Sequence, residues 1–267
     1  MDQKTRAQTF AQLHDGPEIL VLPNAWDAAS AALMADAGAK AVATSSAAVA
    51  WAHGYPDGDA LPMEKVIATV SEIVRVTDLP VTCDFEGGYT DDLETLADNI
   101  RRVIDAGAVG INFEDGGRDA ELHARKVEAA RAAAERAGVA LFINARTDVY
   151  LRGLAEGEAA FAETVRRAAL YADAGASGIF TPGAKDEALI GRLAAAVRLP
   201  LNIMLLPGLA PAKRLQGLGV RRLSSATSAF RMAYAHLAKA VAGYLATGEA
   251  GAFAAEPLAN LNTRFSA

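Results

Sequence analysis

Asp105-Ala106-Gly107-Ala108-Val109-Gly110-Ile111-Asn112-Phe113-Glu114-Asp115 compresses a complete helix-to-strand join into eleven residues. Apolar residues at helical spacing run through Leu93 to Ala106, and a glycine follows where the chain needs a left-handed residue to leave a helix. The run from Gly110 then reads as a short apolar strand that stops on two carboxylates. Similar joins recur at Asp36-Ala37-Gly38, Arg136-Ala137-Gly138, Asp173-Ala174-Gly175 and Gly217-Leu218-Gly219. Leu79-Pro80 and Leu199-Pro200 mark two further turns into strands, because proline disfavours helix in the residue before it.

Between these marks fall eight expected strands, near Ile19 to Asn24, Ala41 to Ser46, Val81 to Glu86, Gly110 to Asp115, Leu141 to Thr147, Gly178 to Pro182, Leu201 to Leu206 and Arg222 to Ser225. Helical stretches such as Ala120 to Ala137 and Ala155 to Ala174 separate them. Strict alternation implies parallel pairing with right-handed crossovers, hence a closed barrel or an open doubly wound sheet. The first strand runs into Asn24-Ala25-Trp26-Asp27 and not into a Gly-x-Gly-x-x-Gly turn, so the open dinucleotide-binding sheet loses its best support. The reading is an α/β chain folded as one (β/α)8 TIM-type barrel over residues 1–267, with an additional C-terminal helical segment at 249–267 used in packing or oligomerisation. The length of 267 residues suits one such barrel.

A net charge of −6 argues against a polyanion partner, so no nucleic acid is expected. No stretch is long and apolar enough to span a bilayer, and Met1 to Glu18 lacks the apolar core of a secretory signal, so the expectation is a cytoplasmic protein without membrane contact. Cys83 stands alone, which excludes an internal disulfide. It precedes Asp84 and so should face the other side of its strand, packed as a small apolar residue.

In a parallel barrel the chemistry gathers at the C-terminal ends of the strands. Asn24, Ser45, Ser46, Asp84, Glu86, Glu114, Asp115, Arg146 and Asp148 all fall at such ends, while Asn202 sits near the start of its strand and fits less well. Asp84 and Glu86 are two apart, so on an extended strand they share a face. Neighbouring carboxylates repel, and a hard cation relieves the repulsion. Magnesium needs one or two carboxylates and keeps waters for a substrate to displace, and Glu114 on the next strand completes the shell directly or through water. Against this stands the plainer reading of each acid as a solvated loop charge or ion pair. Arg146 offers a guanidinium suited to gripping a carboxylate, or else pairs structurally with Asp148. Thr44-Ser45-Ser46 offers hydroxyls and amides to an anion. No predicted strand carries a lysine for Schiff-base chemistry. His14, His53, His123 and His236 are scattered; only His53, close to Asp57, is kept as a minor candidate.

Taken together, Leu22-Pro23-Asn24-Ala25-Trp26-Asp27, Thr44-Ser45-Ser46, Gly54-Tyr55-Pro56-Asp57, Asp84-Phe85-Glu86-Gly87-Gly88-Tyr89, Gly110 to Asp115, Asn144-Ala145-Arg146-Thr147-Asp148 and Pro200-Leu201-Asn202 resemble the isocitrate lyase/phosphoenolpyruvate mutase superfamily, in order and over most of the chain. The resemblance implies that Asp84, Glu86 and Glu114 form a magnesium site, which manganese could also fill. It further implies that Ser45, Ser46 and Arg146 hold a substrate carboxylate, that Asn202 lies near the site, and that Asp57 approaches the reacting atoms. Asp57, Arg146 and Glu114 then carry the catalysis of a carbon–carbon lyase or decarboxylase on a small 2-oxo acid such as oxaloacetate. Alternatives are a 2-oxo acid-binding protein without turnover, or a hydrolase cutting beside the 2-oxo group.

One departure stands out. Lyases of the family share a Lys-Lys/Arg-Cys-Gly-His gating loop after the fourth strand, whereas here Glu114-Asp115-Gly116-Gly117-Arg118-Asp119 leads almost directly into a helix. Isocitrate or methylisocitrate cleavage is thereby disfavoured, and Arg118 is the residue to ask about as a replacement for the loop's positive charge. The family also implies exchange of a late helix between subunits, hence a homodimer or homotetramer. The plainer role for the tail, with Phe253, Leu258, Leu261 and Phe265, is packing on its own barrel.

Overall fold

The structure, a computed structural model, describes residues 1–254, 257–258 and 260–266. Nine parallel strand segments make one sheet: β1 Leu20–Leu22, β2 Asn24–Ala25, β3 Val42–Thr44, β4 Val81–Asp84, β5 Gly110–Glu114, β6 Phe142–Arg146, β7 Gly178–Phe180, β8 Leu201–Met204 and β9 Arg222–Ser224. The expected first strand is broken at Pro23, which has no N–H to donate to a ladder. Its first half pairs with β9 (Leu20↔Arg222) and its second half with β3 (Asn24↔Ala43), so the sheet closes on itself. Pro23 still contributes its carbonyl, which accepts from the Ala43 amide at 3.0 Å. Eight strand positions around a ring, each followed by helix, make the (β/α)8 barrel; the open-sheet alternative is excluded.

Helices α1 Gln3–Asp15, α2 Ala28–Asp36, α3 Ser46–Ala52, α4 Met63–Arg75, α5 Leu93–Asp105, α6 Ala120–Ala137, α7 Gly157–Asp173, α8 Glu187–Ala196, α9 Ala212–Gly217, α10 Ser228–Thr247 and α11 Leu261–Phe265 complete the described chain, with a 3-10 turn at Ala250–Phe253. Local chemistry sets their limits. Asp92, Asp119 and Asp186 cap α5, α6 and α8 by accepting the amide three residues on, each cap being worth about 1 kcal/mol. Gly138 ends α6 at φ 69°, a conformation that strains any residue with a Cβ. Leu96, Ile100, Val103 and Ile104 form the buried stripe of α5, at the spacing that puts them on one helix face.

The polar opening segment, not read as a helix from sequence, is α1. It plugs the N-terminal end of the barrel with two side chains, Phe10 and His14, both packed on Phe142 at ring-centroid distances of 5.4 and 4.0 Å. Gly110 makes room for the plug, since a Cβ there would lie 2.8 Å from the Phe10 ring. Burial drives the His14 pKa down to about 3, so it sits neutral in the floor.

At the other end of the chain α10 does not lie along the barrel. Phe230 is its one buried residue, wedged against Trp26 and Trp51, while Met232, Leu237 and Leu245 stay exposed. The outer face of β1 is correspondingly bare, and Val21 is 56% exposed. The end of the tail returns to its own barrel, where Arg264 pairs with Asp36 at 3.0 Å and donates to the Val76 carbonyl. Residues 255, 256, 259 and 267 of the C-terminal segment lie outside the described residues.

Candidate active site

Alternation along the strands sends Asp84, Asn112, Glu114, Asn144 and Arg146 into the barrel, and the register pairs Asp84 with Asn112 and Glu114 with Arg146. Lower in the barrel Asn144 donates to Asn112 Oδ1 at 2.8 Å, and the fully buried Arg222 of β9 donates to the same oxygen at 3.0 Å. The carboxylates therefore stand above a polar, cationic floor.

Asp84 is the best-defined acid. Its Oδ2 accepts both the amide and the hydroxyl of Ser46, at 2.9 and 2.8 Å, and its own amide donates to Thr44 Oγ1 at 2.7 Å. Oδ1 is buried with no hydrogen-bond partner among the described residues. A buried carboxylate oxygen left without a donor is costly in an otherwise satisfied interior, and it is the kind of atom a cation or water binds.

Glu86 departs from the expected geometry. β4 stops at Asp84, and Glu86 lies in the following turn with φ 48°, so the two acids do not share the face of one extended strand. The turn is held by the Gly88 amide on the Phe85 carbonyl. Glu86 Oε2 accepts the Asp59 amide and Oε1 accepts the Tyr89 hydroxyl at 3.0 Å. Burial pushes its pKa up to about 7.

Glu114 Oε2 lies 2.6 Å from Arg146 Nη1, and Arg146 Nε lies 2.6 Å from Asp148 Oδ1. Burial raises the Glu114 pKa to about 8 against the pull of this guanidinium. The same acids hold Arg146 firmly protonated in spite of its own burial. Arg146 is thus paired with Asp148, as the structural reading expected, and its remaining nitrogen is given to Glu114 in the acidic centre. Asp57 stands at the rim, open to solvent on one side. Protein packed around its carboxyl raises the pKa, the Asp84 charge adds to the rise, and Arg146 opposes it.

Asp84, Glu114, Arg146, Ser46 and Asp57 are therefore brought together, with Glu86 alongside on its own hydrogen bonds. Among the described residues no three His, Cys, Asp or Glu side chains meet as a ready-made metal cluster, because Glu86 is turned to Asp59 and Glu114 to Arg146. Ser45 caps α3 through the Ala48 amide. Asn202 is buried in the barrel and its Oδ1 accepts from Ser224, apart from the acids' own hydrogen bonds, while its Nδ2 has no partner among the described residues. Asp115 points outward to Arg167 and Tyr171, each at 2.8 Å, and braces the barrel wall. His53 is exposed and meets Thr69, at 3.3 Å. Cys83 is buried behind Asp84, as expected, with its thiol pKa pushed up by burial.

Asp59, Tyr89, Lys126 and Arg222 belong to the surroundings of the site and were not singled out from sequence. Asp59 left a signal by standing two residues beyond Asp57. Tyr89 closes the Asp84-to-Tyr89 stretch three residues past Glu86, whereas Lys126 and Arg222 arrive from a helix and the far end of a strand, and no local spacing connects them.

Residues 10–245 match the phosphoenolpyruvate phosphomutase family. A crystallised protein of Burkholderia cenocepacia J2315, provisionally named a phosphonomutase, is 43% identical with a TM-score of 0.85, over 89% of this chain and 99% of that one. An uncharacterized Mycobacterium tuberculosis protein is 35% identical over 87% of this chain and 88% of its own length. An oxaloacetate decarboxylase of Pseudomonas fluorescens is 26% identical over 80% of this chain and 76% of its own length, and 2-methylisocitrate lyases also match. The mouth just described and the match along nearly the whole barrel agree: this chain belongs to the phosphoenolpyruvate phosphomutase family.

Proposed function

We propose that this protein is a divalent-metal-dependent carbon–carbon lyase acting on a small 2-oxo acid, with decarboxylation of oxaloacetate as the reference reaction. One observation carries the reading: Asp84 presents a buried, unpartnered Oδ1 beside an arginine and a second carboxylate at a barrel mouth. The donors are hard oxygens and suit magnesium or manganese, which need few protein carboxylates when waters fill the shell. Asp84 would hold the ion directly, with Glu86 and Glu114 directly or through water. When bound, the ion supplies positive charge that stabilises an enolate oxygen.

The chain's own residues then divide the work. Arg146, already fixed by Asp148, grips the substrate carboxylate with the nitrogen now given to Glu114, while Ser46 keeps Asp84 oriented. Cleavage of the C3–C4 bond of oxaloacetate releases carbon dioxide and leaves its electron pair in the enolate. Asp57, whose raised pKa suits it to hold a proton at the rim, returns one to C3 to give pyruvate and is reprotonated from solvent. Oxaloacetate turnover measured with and without EDTA tests the reading; activity indifferent to metal removal and to Asp84→Ala sinks it.

A second reading, 2-oxo acid binding without turnover, draws on the brevity of the 115–119 connection, which leaves no gating loop to enclose the substrate. Magnesium-dependent oxaloacetate binding by calorimetry with no pyruvate formed would favour it. For assembly, we read the chain as a homodimer or homotetramer. The bare outer groove lined by Val21, Leu22, Met34, Leu205 and Leu223, about 390 Å³, complements the unpartnered apolar face of α10.

A further inference from the structure

Resting on the reading of the acidic centre just given, we propose that Arg118 is a positioning residue, which clamps residues 53–62, the loop between α3 and α4, over that centre through Asp59.

The connection after β5 is short, residues 115–119, and the loop that carries Asp57 and Asp59 reaches the acidic centre through the Asp59 amide on Glu86. Leu61 and Tyr55 root this loop in the core, and Asp59 is its polar attachment to the acidic centre. Asp59 Oδ1 accepts the amides of Gly87 and Tyr89 at 3.1 and 3.2 Å, and its own amide donates to Glu86 Oε2. Its remaining oxygen, Oδ2, takes Arg118 Nη2 at 3.0 Å. One residue thus touches an expected metal ligand on one side and a fixed cation on the other.

The cation is itself well seated. Arg118 Nε donates to Asp91 Oδ1 at 2.9 Å, and the same oxygen receives the buried Lys126 ammonium at 2.6 Å. Lys126 also donates to the Gly87 carbonyl at 2.6 Å, so α6 anchors the far end of the clamp. The guanidinium lies over Gly87, where an added Cβ would sit only 2.5 Å from Nη1. Asp59, Glu86 and Tyr89 all hold left-handed backbone, at φ 58°, 48° and 61°, which residues with side chains adopt only when surrounding contacts impose it. The clamp supplies those contacts.

Arg118 therefore does not stand in for the loop lysine of the lyases as a charge on the substrate. Its side-chain hydrogen bonds are given to Asp59 and Asp91, and its effect reaches the reaction through the placement of Glu86 and Asp57. Residues around a metal ligand commonly change metal affinity by about 10–100-fold when removed.

The test uses the full-length protein with Arg118→Gln, Asp59→Asn and the double variant. Asn at 59 keeps the Oδ1 acceptor for Gly87 and Tyr89 and replaces the charged acceptor facing Arg118 with an amide NH2 that cannot receive its hydrogen bond. Endoproteinase Asp-N, which cuts before Asp57 and Asp59, reports on the loop, Mn2+ titration on the acidic centre, and thermal unfolding on the whole fold. Arg118→Gln should speed cleavage before Asp57 about ten-fold and weaken Mn2+ binding about ten-fold while Tm moves little. Asp59→Asn should speed the same cut, and the double variant should add nothing further, as two halves of one contact require. Wild-type cleavage rates in Arg118→Gln, or additive effects in the double variant, overturn the proposal. Should Arg118→Gln fail to fold, the cut before Asp57 in Asp59→Asn decides: faster than wild type supports the clamp, unchanged refutes it. If wild-type protein binds no Mn2+, the metal reading falls, and the cleavage data still decide the clamp.

Discussion

Glu114 and Arg146 face each other across paired positions of β5 and β6, with Oε2 and Nη1 2.6 Å apart and both side chains largely buried. The same guanidinium is also held by Asp148, so on the proposed function the bond to Glu114 would be the one given up to a substrate carboxylate while the arginine stays in place.

Arg146→Met should therefore damage function and fold together. Losing charged hydrogen bonds costs about 1.5–3 kcal/mol each, so kcat/KM for oxaloacetate should fall about 100-fold or more. Stranding Glu114 and Asp148 should also destabilise the protein by about 3 kcal/mol in urea unfolding. An unchanged KM and kcat would remove Arg146 from the substrate grip.

The response to pH follows from Glu86 and Glu114, whose pKa values stand at about 7 and about 8 against an ordinary 4.5. A carboxyl with a raised folded pKa binds more protons folded than unfolded, so its stabilising contribution is present at low pH and is lost as pH rises through 7 and 8. Metal competes with those protons. Magnesium should accordingly raise Tm more at pH 8.5 than at pH 5.5, and equal shifts at both would contradict the assignment.

Asp84→Asn tests the centre with little change of shape. The variant should fold, because Ser46 retains an acceptor, and Mn2+ affinity should drop at least ten-fold with loss of pyruvate formation. Wild-type affinity in this variant would move the metal elsewhere.

Cys83 offers a negative control. Its thiol is buried behind the strand with a raised pKa, so it should resist alkylation in the folded state and Cys83→Ala should keep activity within about two-fold. A large loss would mean that the thiol takes part in the chemistry.

For assembly, sedimentation should show a dimer or larger species, and Leu237→Glu with Leu245→Glu on α10 should shift it toward monomer. A wild-type monomer at micromolar concentration refutes the homo-oligomer.

Much of the site was legible because strand ends in a barrel converge whatever their separation in sequence. Asp84, Glu114 and Arg146 terminate β4, β5 and β6 and so had to meet at the mouth. Glu86 was assigned to an extended strand, and its actual place in a left-handed turn depends on hydrogen bonds from Asp59 and Tyr89 that no two-residue periodicity encodes. The polar helix α1 was missed for a related reason: its apolar contribution is chiefly Phe10, aided by a neutralised His14, and only the open floor of the barrel gives them a place to bury.

The sequence alone determined the alternation of strands and helices from the first strand onward, and the strand ends at which carboxylates and arginine fall, because these follow from short-range periodicity, capping and turn chemistry; closure of the barrel rests on the long-range pairing of β1 with β9 and β2 with β3. Tertiary structure alone decided the partner of each charge: Ser46 for Asp84, Asp148 and Glu114 for Arg146, Asp59 for Arg118, and Asn112 for the buried Arg222. The physical reason is the short reach of hydrogen bonds and ion pairs, a few ångströms, between groups far apart along the chain that only the finished barrel brings within range.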